Sequence, residues 1–411
     1  MKKAKPVIRS SKVSLQFANE GKRKSLRRVL TEYKALTQNF VDILWALPVD
    51  DVRRRPEKLI TDQANTWLSA RLIQASAKQA SGIVRGTREK IRKTEWVIGQ
   101  LHADGKFKQE RKLQQRLDKR KISCPALKTL QMELDSRFVD IDTNGRVPFD
   151  GWVTLTSLGD KLKIVLPFKK TKHFNRLAKA GGILKAGARF SEHGITFMFE
   201  MPTPEKVVTG SVLGIDIGKF TLLSCSDGTV SQKNNHGHDL NSILAVMCRK
   251  KKGSKAMARC QAHRDNYIHW SVKRLGLTGV KQVNIEKIRG LRSGSRSSRM
   301  LSHWVYKSIF DGLKRRCEDE GVQIHEVASA YTSQRCSECG WVRKSNRKGP
   351  VFKCKACGFT HDADLNAALN IALGLPAIGK EQRLRRENLK GFYWLPEGHE
   401  RHLVRATQNE L

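Results

Sequence analysis

The stretch that decides the reading is Ser329-Ala-Tyr-Thr-Ser-Gln-Arg-Cys336-Ser-Glu-Cys339-Gly340. After a basic spacer it continues as Phe352-Lys-Cys354-Lys-Ala-Cys357-Gly358-Phe-Thr-His-Asp362-Ala-Asp364-Leu-Asn366-Ala-Ala-Leu-Asn-Ile371. Two Cys-x-x-Cys pairs stand fourteen residues apart, and a carboxylate-bearing helix start follows almost at once. Four thiolates at Cys336, Cys339, Cys354 and Cys357 suit tetrahedral Zn²⁺, each tight turn bringing one pair to one side of the ion. Gly340 and Gly358 follow the pairs, where such turns often need positive φ. Four protein ligands leave no open position, so this zinc reads as structural. Asp362 and Asp364 are hard oxygen donors, suited to Mg²⁺ or Mn²⁺ and not to that zinc. A site built on them needs further acids upstream.

Two candidates stand there. Val212-Leu-Gly-Ile-Asp216-Ile-Gly218 is an apolar strand with a carboxylate in its middle, costly to bury unless something pairs with it. Val280-Lys-Gln-Val-Asn-Ile285 reads as a second strand and ends on Glu286. Two hard ions held about 4 Å apart by such acids activate a water and stabilise the leaving oxygen of a phosphodiester. The order strand–Asp, strand–Glu, helix-start–Asp fits an RNase H-like nuclease core. Asp216, Glu286 and either Asp362 or Asp364 are its candidate ligands.

The bulk composition points the same way. Lys and Arg total 78 against 39 acids in 411 residues, a net charge of +39. An excess of that size favours a polyanionic partner, because neutralising phosphates releases counterions. No window approaches the roughly eighteen apolar residues of a membrane span. The basic N-terminus lacks the apolar core of a signal peptide. Nine cysteines, four of them in ribbon spacing, fit a reducing cytosol with one metal site better than a disulfide framework.

The N-terminal half changes period twice. Val13–Phe17 alternates like a strand, and Leu26 to Leu47 then shows one helical apolar face that ends before Pro48. Thr61-Asp62 reads as a second helix start, with Trp67 to Ile83 following it. Lys106 to Lys121 is a densely basic third helix, expected to contact phosphates. From Phe138 the period returns to two, giving strands near 138–142, 152–158, 162–166, 183–190 and 195–199. A helical block is therefore inserted into one small β-domain. Met247–Leu275 reads as a basic helical region, and Arg292–Arg299 as a basic Gly/Ser loop able to act as a lid.

Gly214-Ile-Asp-Ile-Gly218, Asn284-Ile-Glu286, Tyr331-Thr-Ser-Gln-x-Cys-Ser-x-Cys-Gly340 and Cys354-x-x-Cys-Gly through Asp364-Leu-Asn-Ala-Ala-Leu-Asn-Ile371 resemble TnpB, the RNA-guided nuclease of insertion sequences. They are equally similar to the compact type V CRISPR effectors related to it. The motifs cover about 212–371. The resemblance implies an α+β multidomain chain. A split, β-barrel-like wedge domain (1–20 and 138–205) carries a helical recognition domain (21–137). A RuvC, RNase H-like nuclease domain (206–330 and 359–375) follows, with an inserted zinc ribbon (331–358) and a polar tail (376–411) expected to be partly disordered.

It further implies cleavage of DNA selected by a bound guide RNA. Asp216, Glu286 and Asp364 would be the catalytic Mg²⁺ or Mn²⁺ ligands, and Asn366 would support the helix start. The partners would be a guide RNA and a double-stranded target opened into an RNA–DNA heteroduplex, in a prokaryotic cytosol or nucleoid with no membrane. Two other readings share these features. A guide-directed regulator would bind DNA without cutting and usually lose an acid. A guide-independent, structure-specific nuclease would have little use for the basic N-terminal half.

Overall fold

A computed structural model of the protein describes residues 6–53, 56, 58–145, 148–218, 221–288, 306–378 and 391–395. The chain divides into two compact units, Met1–Thr203 and Pro204–Leu411. The loop Arg292–Arg299 lies outside the described residues. Among the described residues no helix is long and apolar enough to cross a membrane.

In the first unit, strand β1 (Val7–Ser14) precedes helices α1 (Glu20–Ala46), α2 (Lys58–Thr61), α3 (Ala70–Ala103) and α4 (Phe107–Ile122). Strands β2 (Met132–Leu134), β3 (Val139–Asp142), β4 (Gly151–Leu155) and β5 (Ile164–Phe168) come next. Helix α5 (Lys172–Lys179) and the hairpin β6 (Ile183–Ser191) and β7 (Gly194–Met201) complete it. Two sheets form, ordered β1-β7-β6-β2 and β3-β4-β5. β1 pairs antiparallel with β7, Val7 opposite Met201, and β2 pairs with β6, so helices α1–α4 are inserted in the chain between the two edge strands of one sheet. Buried Tyr33, Phe40 and Leu72 of the helices belong to the same apolar cluster as Phe168, Phe190 and Phe197 of the strands.

Local chemistry sets these helices. The Asn19 side chain accepts from the Lys22 amide to start α1. Leu26, Val29, Leu30, Tyr33, Leu36, Phe40 and Leu44 then follow at helical spacing and are buried. Pro48 forces Leu47 into extended backbone and ends the helix. The second long helix starts at a Ser69 cap, later than Thr61-Asp62 suggests. The Thr61 hydroxyl donates back to the Lys58 carbonyl at 2.8 Å, leaving α2 a single turn. The first strand also runs earlier than Val13–Phe17 implies, because the chain turns at Ala18 onto Leu15.

In the second unit, β8 (Ser211–Asp216), β9 (Ser224–Cys225), β10 (Val280–Glu286) and β11 (Gln323–Val327) form a sheet ordered β11-β10-β8-β9. β8, β10 and β11 run parallel, and β9 is antiparallel to β8. Most of the helical region Met247–Leu275 is one helix, preceded by a second that begins at Leu240 and ends at Cys248. α6 (Leu240–Cys248) opens at a capping box between Asp239 and Ser242, and α7 (Lys255–Lys273) opens at Ser254 after Gly253 at φ +82. With α8 (Tyr306–Asp319) they cover one sheet face, where Leu213, Ile215, Val283 and Ile285 are buried.

The cysteine segment carries the short strands β12 (Trp341–Val342), β13 (Arg347–Lys348), β14 (Val351–Lys353) and β15 (Thr360–Asp362). It leads directly into α9 (Ala363–Ala372). The polar tail expected from residue 376 is in part structural. Phe392–Tyr393 forms β16, paired with β12, and Phe392 and Trp394 are buried with Val342, Leu375 and Ile378.

Candidate active site and metal centre

The alternation of a strand puts residues two apart on one face. In β8, Leu213 and Ile215 face the α6–α8 core, so Gly214 and Asp216 face the other way. In β10, Val283 and Ile285 do the same, leaving Asn284 and Glu286 beside them. Ile215 lies opposite Ile285 in the parallel register, so Asp216 and Glu286 end adjacent strands at the same level and on the same face.

α9 covers that face because Gly214 lets it. A Cβ at Gly214 would stand 2.1 Å from the Ala368 carbonyl oxygen and 2.4 Å from the Ala372 nitrogen. Asn284 Nδ2 then donates to the carbonyls of Ile371 and Ala372, at 3.2 and 3.0 Å, tying the helix C-terminus to the sheet. One helical turn before Ala368 is Asp364, two residues beyond Gly214 is Asp216, and the helix N-terminus thus lies at the acid end of the strands. The Asp362 side chain is otherwise engaged. Its Oδ1 accepts from the amides of Asp364 and Leu365 at 2.9 and 3.0 Å as the cap of α9.

The electrostatics record the convergence. Burial, with the charges of Glu286 and Asp364, pushes the Asp216 carboxyl up to about 7, while Arg347 pulls it down. Burial also pushes Glu286 up, against the Thr332 hydroxyl and the Arg347 charge. Arg347 Nη2 donates to Asp364 Oδ1 at 2.6 Å, and Thr332 Oγ1 donates to Glu286 Oε1. Three acids facing one arginine leave an excess of negative charge, which suits divalent cations held by oxygen donors. The acids nonetheless do not draw tightly together. Among the described residues, the cysteine quartet is the one group of three or more such side chains with ligand atoms all within 4.8 Å of one another.

That quartet has zinc geometry. A tetrahedron with Zn–S near 2.3 Å sets sulfurs about 3.8 Å apart. Here Cys336 and Cys357 Sγ are 3.7 Å apart, as are Cys339 and Cys354 Sγ. Gly340 and Gly358 sit at φ +79 and +77, as the turns require.

Sequence reasoning missed what joins the two centres. Arg335, almost fully buried, donates through Nη1 to Asn370 Oδ1 at 2.6 Å and through Nε to the Trp394 carbonyl at 2.6 Å. Asn370 Nδ2 donates to the Thr332 and Arg335 carbonyls at 3.0 and 2.7 Å. Asn366 accepts from the Ser337 amide at 3.0 Å and donates to the Arg335 carbonyl at 2.8 Å, so it fixes the ribbon to α9. Thr332 and Asn370 stood inside the quoted motifs. Arg347 was one basic residue of a basic spacer, and nothing in its spacing set it apart.

The fold and these two centres define an α+β chain in which a four-cysteine ribbon feeds a helix onto a carboxylate-bearing sheet face. Comparison with known proteins places that combination. Residues 306–371 match a domain family described as Cas12f1-like, TNB domain. The CRISPR-associated endodeoxyribonuclease Cas12f1 of Sulfoacidibacillus thermotolerans is 39% identical over 103 residues, 25% of this chain and 24% of that protein. The putative RNA-guided DNA endonuclease InsQ of Escherichia coli K12 is 28% identical over 195 residues, 40% of this chain and 48% of the relative. The chain thus spans between a quarter and a half of the length of these relatives. Among solved structures, the mini-RNA-guided endonuclease CRISPR-Cas_phi3 aligns over 91% of this chain and 94% of its own, with TM-score 0.50 and 11% identity, a likeness of fold. The chain is similar to TnpB and to the miniature type V effectors, as its motifs imply.

Proposed function

We propose that the protein is an RNA-guided DNA endonuclease of the RNase H-like, RuvC type, using Asp216, Glu286 and Asp364. The carrying observation is that Asp216 and Glu286 end adjacent parallel strands on one face while Gly214 admits the helix that brings Asp364. Bound at these acids, Mg²⁺ or Mn²⁺ supplies the positive charge that activates a water and stabilises the leaving oxygen of a phosphodiester. Asp216 and Glu286 hold their positions because they lie on strands, and Asp364 because Asp362 caps its helix. Arg347 offsets the acids' mutual repulsion. Zinc at the cysteine quartet holds the ribbon's fold and takes no part in the cutting.

The matched relatives bear names of guided endonucleases, and the +39 net charge suits two nucleic-acid partners. In this reading the first unit supplies the split wedge (1–20 and 138–205) and the helical recognition domain (21–137). They grip a guide RNA and its heteroduplex with target DNA by backbone and shape, while base pairing reads sequence. The cytosol or nucleoid of a prokaryote is where such a protein works. A guide-directed binder that never cuts would have no use for three acids on one face.

The test is to purify the protein, sequence the RNA that accompanies it, and offer DNA carrying the complement of that RNA beside randomised flanks. Cleavage of matching DNA in Mg²⁺ is expected. A protein free of RNA whose nuclease activity ignores guide sequence sinks the guided reading.

A further inference from the structure

We propose that Thr332 is a positioning residue for the carboxylate site: its hydroxyl holds one oxygen of Glu286, so that the other is presented to a divalent cation. The inference rests on the nuclease reading of Asp216, Glu286 and Asp364 and assigns a further residue to it.

Thr332 belongs to the segment that leads into the cysteine quartet, 46 residues from Glu286, yet its Oγ1 donates to Glu286 Oε1. A hydroxyl has one proton, and Thr332 has a second acceptor, the Ser329 carbonyl, only at 3.3 Å. Thr332 is 3% exposed, so water does not compete for that proton. The residue before it, Tyr331, is held at φ +68, a left-handed conformation unfavourable for a bulky side chain. Such strain persists where surrounding structure over-determines it. Here the Tyr331 ring packs edge-on against Phe392, with ring centroids 5.3 Å apart, and the Tyr331 carbonyl accepts from the amides of Gln334 and Arg335.

The far side of Thr332 is equally fixed. Its carbonyl accepts from Asn370 Nδ2 at 3.0 Å, and Asn370 Oδ1 accepts from buried Arg335, the residue immediately before Cys336. A continuous chain of hydrogen bonds therefore runs from the cysteine quartet through Arg335, Asn370 and Thr332 to Glu286. An outer partner held in this way fixes a ligand's orientation. Nothing about the spacing of Thr332 and Glu286 in sequence signals this pairing.

The experiment compares wild type, Thr332→Val and Thr332→Ser as full ribonucleoproteins. It reads Mn²⁺ binding by electron paramagnetic resonance of the free ion, and alongside it the melting temperature and binding of guide-complementary DNA. Valine keeps the shape and removes the donor; serine keeps the donor. Thr332→Val should weaken Mn²⁺ binding about 10- to 100-fold. Thr332→Ser should restore binding to near wild type, with DNA binding unchanged in both. The proposal is overturned if Thr332→Val binds Mn²⁺ within twofold of wild type, or if serine fails to rescue it while both variants melt alike. Wild type that binds Mn²⁺ but does not cut guide-matched DNA defeats the nuclease reading, and the valine–serine comparison still decides Thr332.

Discussion

The cysteine quartet ends only seven residues before Asp364, the last of the carboxylate trio, yet the two groups are built to opposite plans. The four sulfurs already stand at zinc-bridging separations, with pairs 3.7 Å apart. Thiols are neutral until a metal displaces their protons, so they tolerate being gathered. Among the acids Asp364 accepts from Arg347 and Glu286 from Thr332, and the three carboxylates are not gathered as the sulfurs are. Carboxylates repel one another unless protonated or bound to cations. A closed site can serve folding alone, whereas an open one leaves room for a substrate phosphate.

The largest test of this contrast is to remove the ribbon's metal. Cys336→Ser, or chelation, should remove a contribution of about 10 kcal/mol or more and melt the ribbon. Because Arg335 and Asn366 join that ribbon to α9, the carboxylate site should fail with it. Zinc content and thermal melting check this; a zinc-free Cys336→Ser protein that melts as wild type and still cuts in Mg²⁺ would erase the division between the two centres.

Next comes pH. Asp216 has an ordinary value of 3.8 and about 7 in the folded protein, so the fold holds its proton more tightly than the unfolded chain does. Below about pH 4 both states are protonated and the contribution is fully present; it is lost as pH rises through 7. Without divalent cations the protein should therefore lose on the order of 4 kcal/mol of stability between pH 4 and 8 from this group. Mn²⁺ should restore it, and Asp216→Asn should flatten the dependence. Denaturant melts at several pH values decide.

A smaller effect separates packing from chemistry. Gly214→Ala places a methyl 2.1 Å from the Ala368 carbonyl and should cost about 1–3 kcal/mol or more as α9 is pushed off the sheet. Cutting should fall with it, while zinc content stays at one per chain. The mildest is Arg347→Ala. Removing the cation beside Asp364 raises Asp216 further, so cutting near pH 6 should drop by less than about tenfold and recover at pH 8.

Much of this was legible from the chain alone. The cysteine spacing, the apolar strand around Asp216 and the strand ending on Glu286 drew attention to both centres, because ligands and buried charges impose local patterns. What stayed hidden was tertiary. Thr332 and Arg347 matter for which carboxylate each meets across 46 and 17 residues, and no periodicity encodes that. In the first unit, α5 was concealed in a basic run with only Phe174 and Leu177 facing inward. The α3 start was misplaced because Thr61-Asp62 resembles a cap, whereas Ser69 is the one that accepts an amide. The tail looked polar because Phe392 and Trp394 are too few to show a pattern, though both are buried.

The central claim is that Asp216, Glu286 and Asp364 act as one divalent-cation site that cuts guide-matched DNA. Its most direct test replaces each in turn with alanine and measures single-turnover cleavage by the ribonucleoprotein in Mg²⁺, alongside binding of the same DNA. Each variant should lose at least about a thousandfold in rate with binding intact, and the double variants should lose no more than the singles, as groups acting together do. A variant of any one of the three that cuts at the wild-type rate would contradict it.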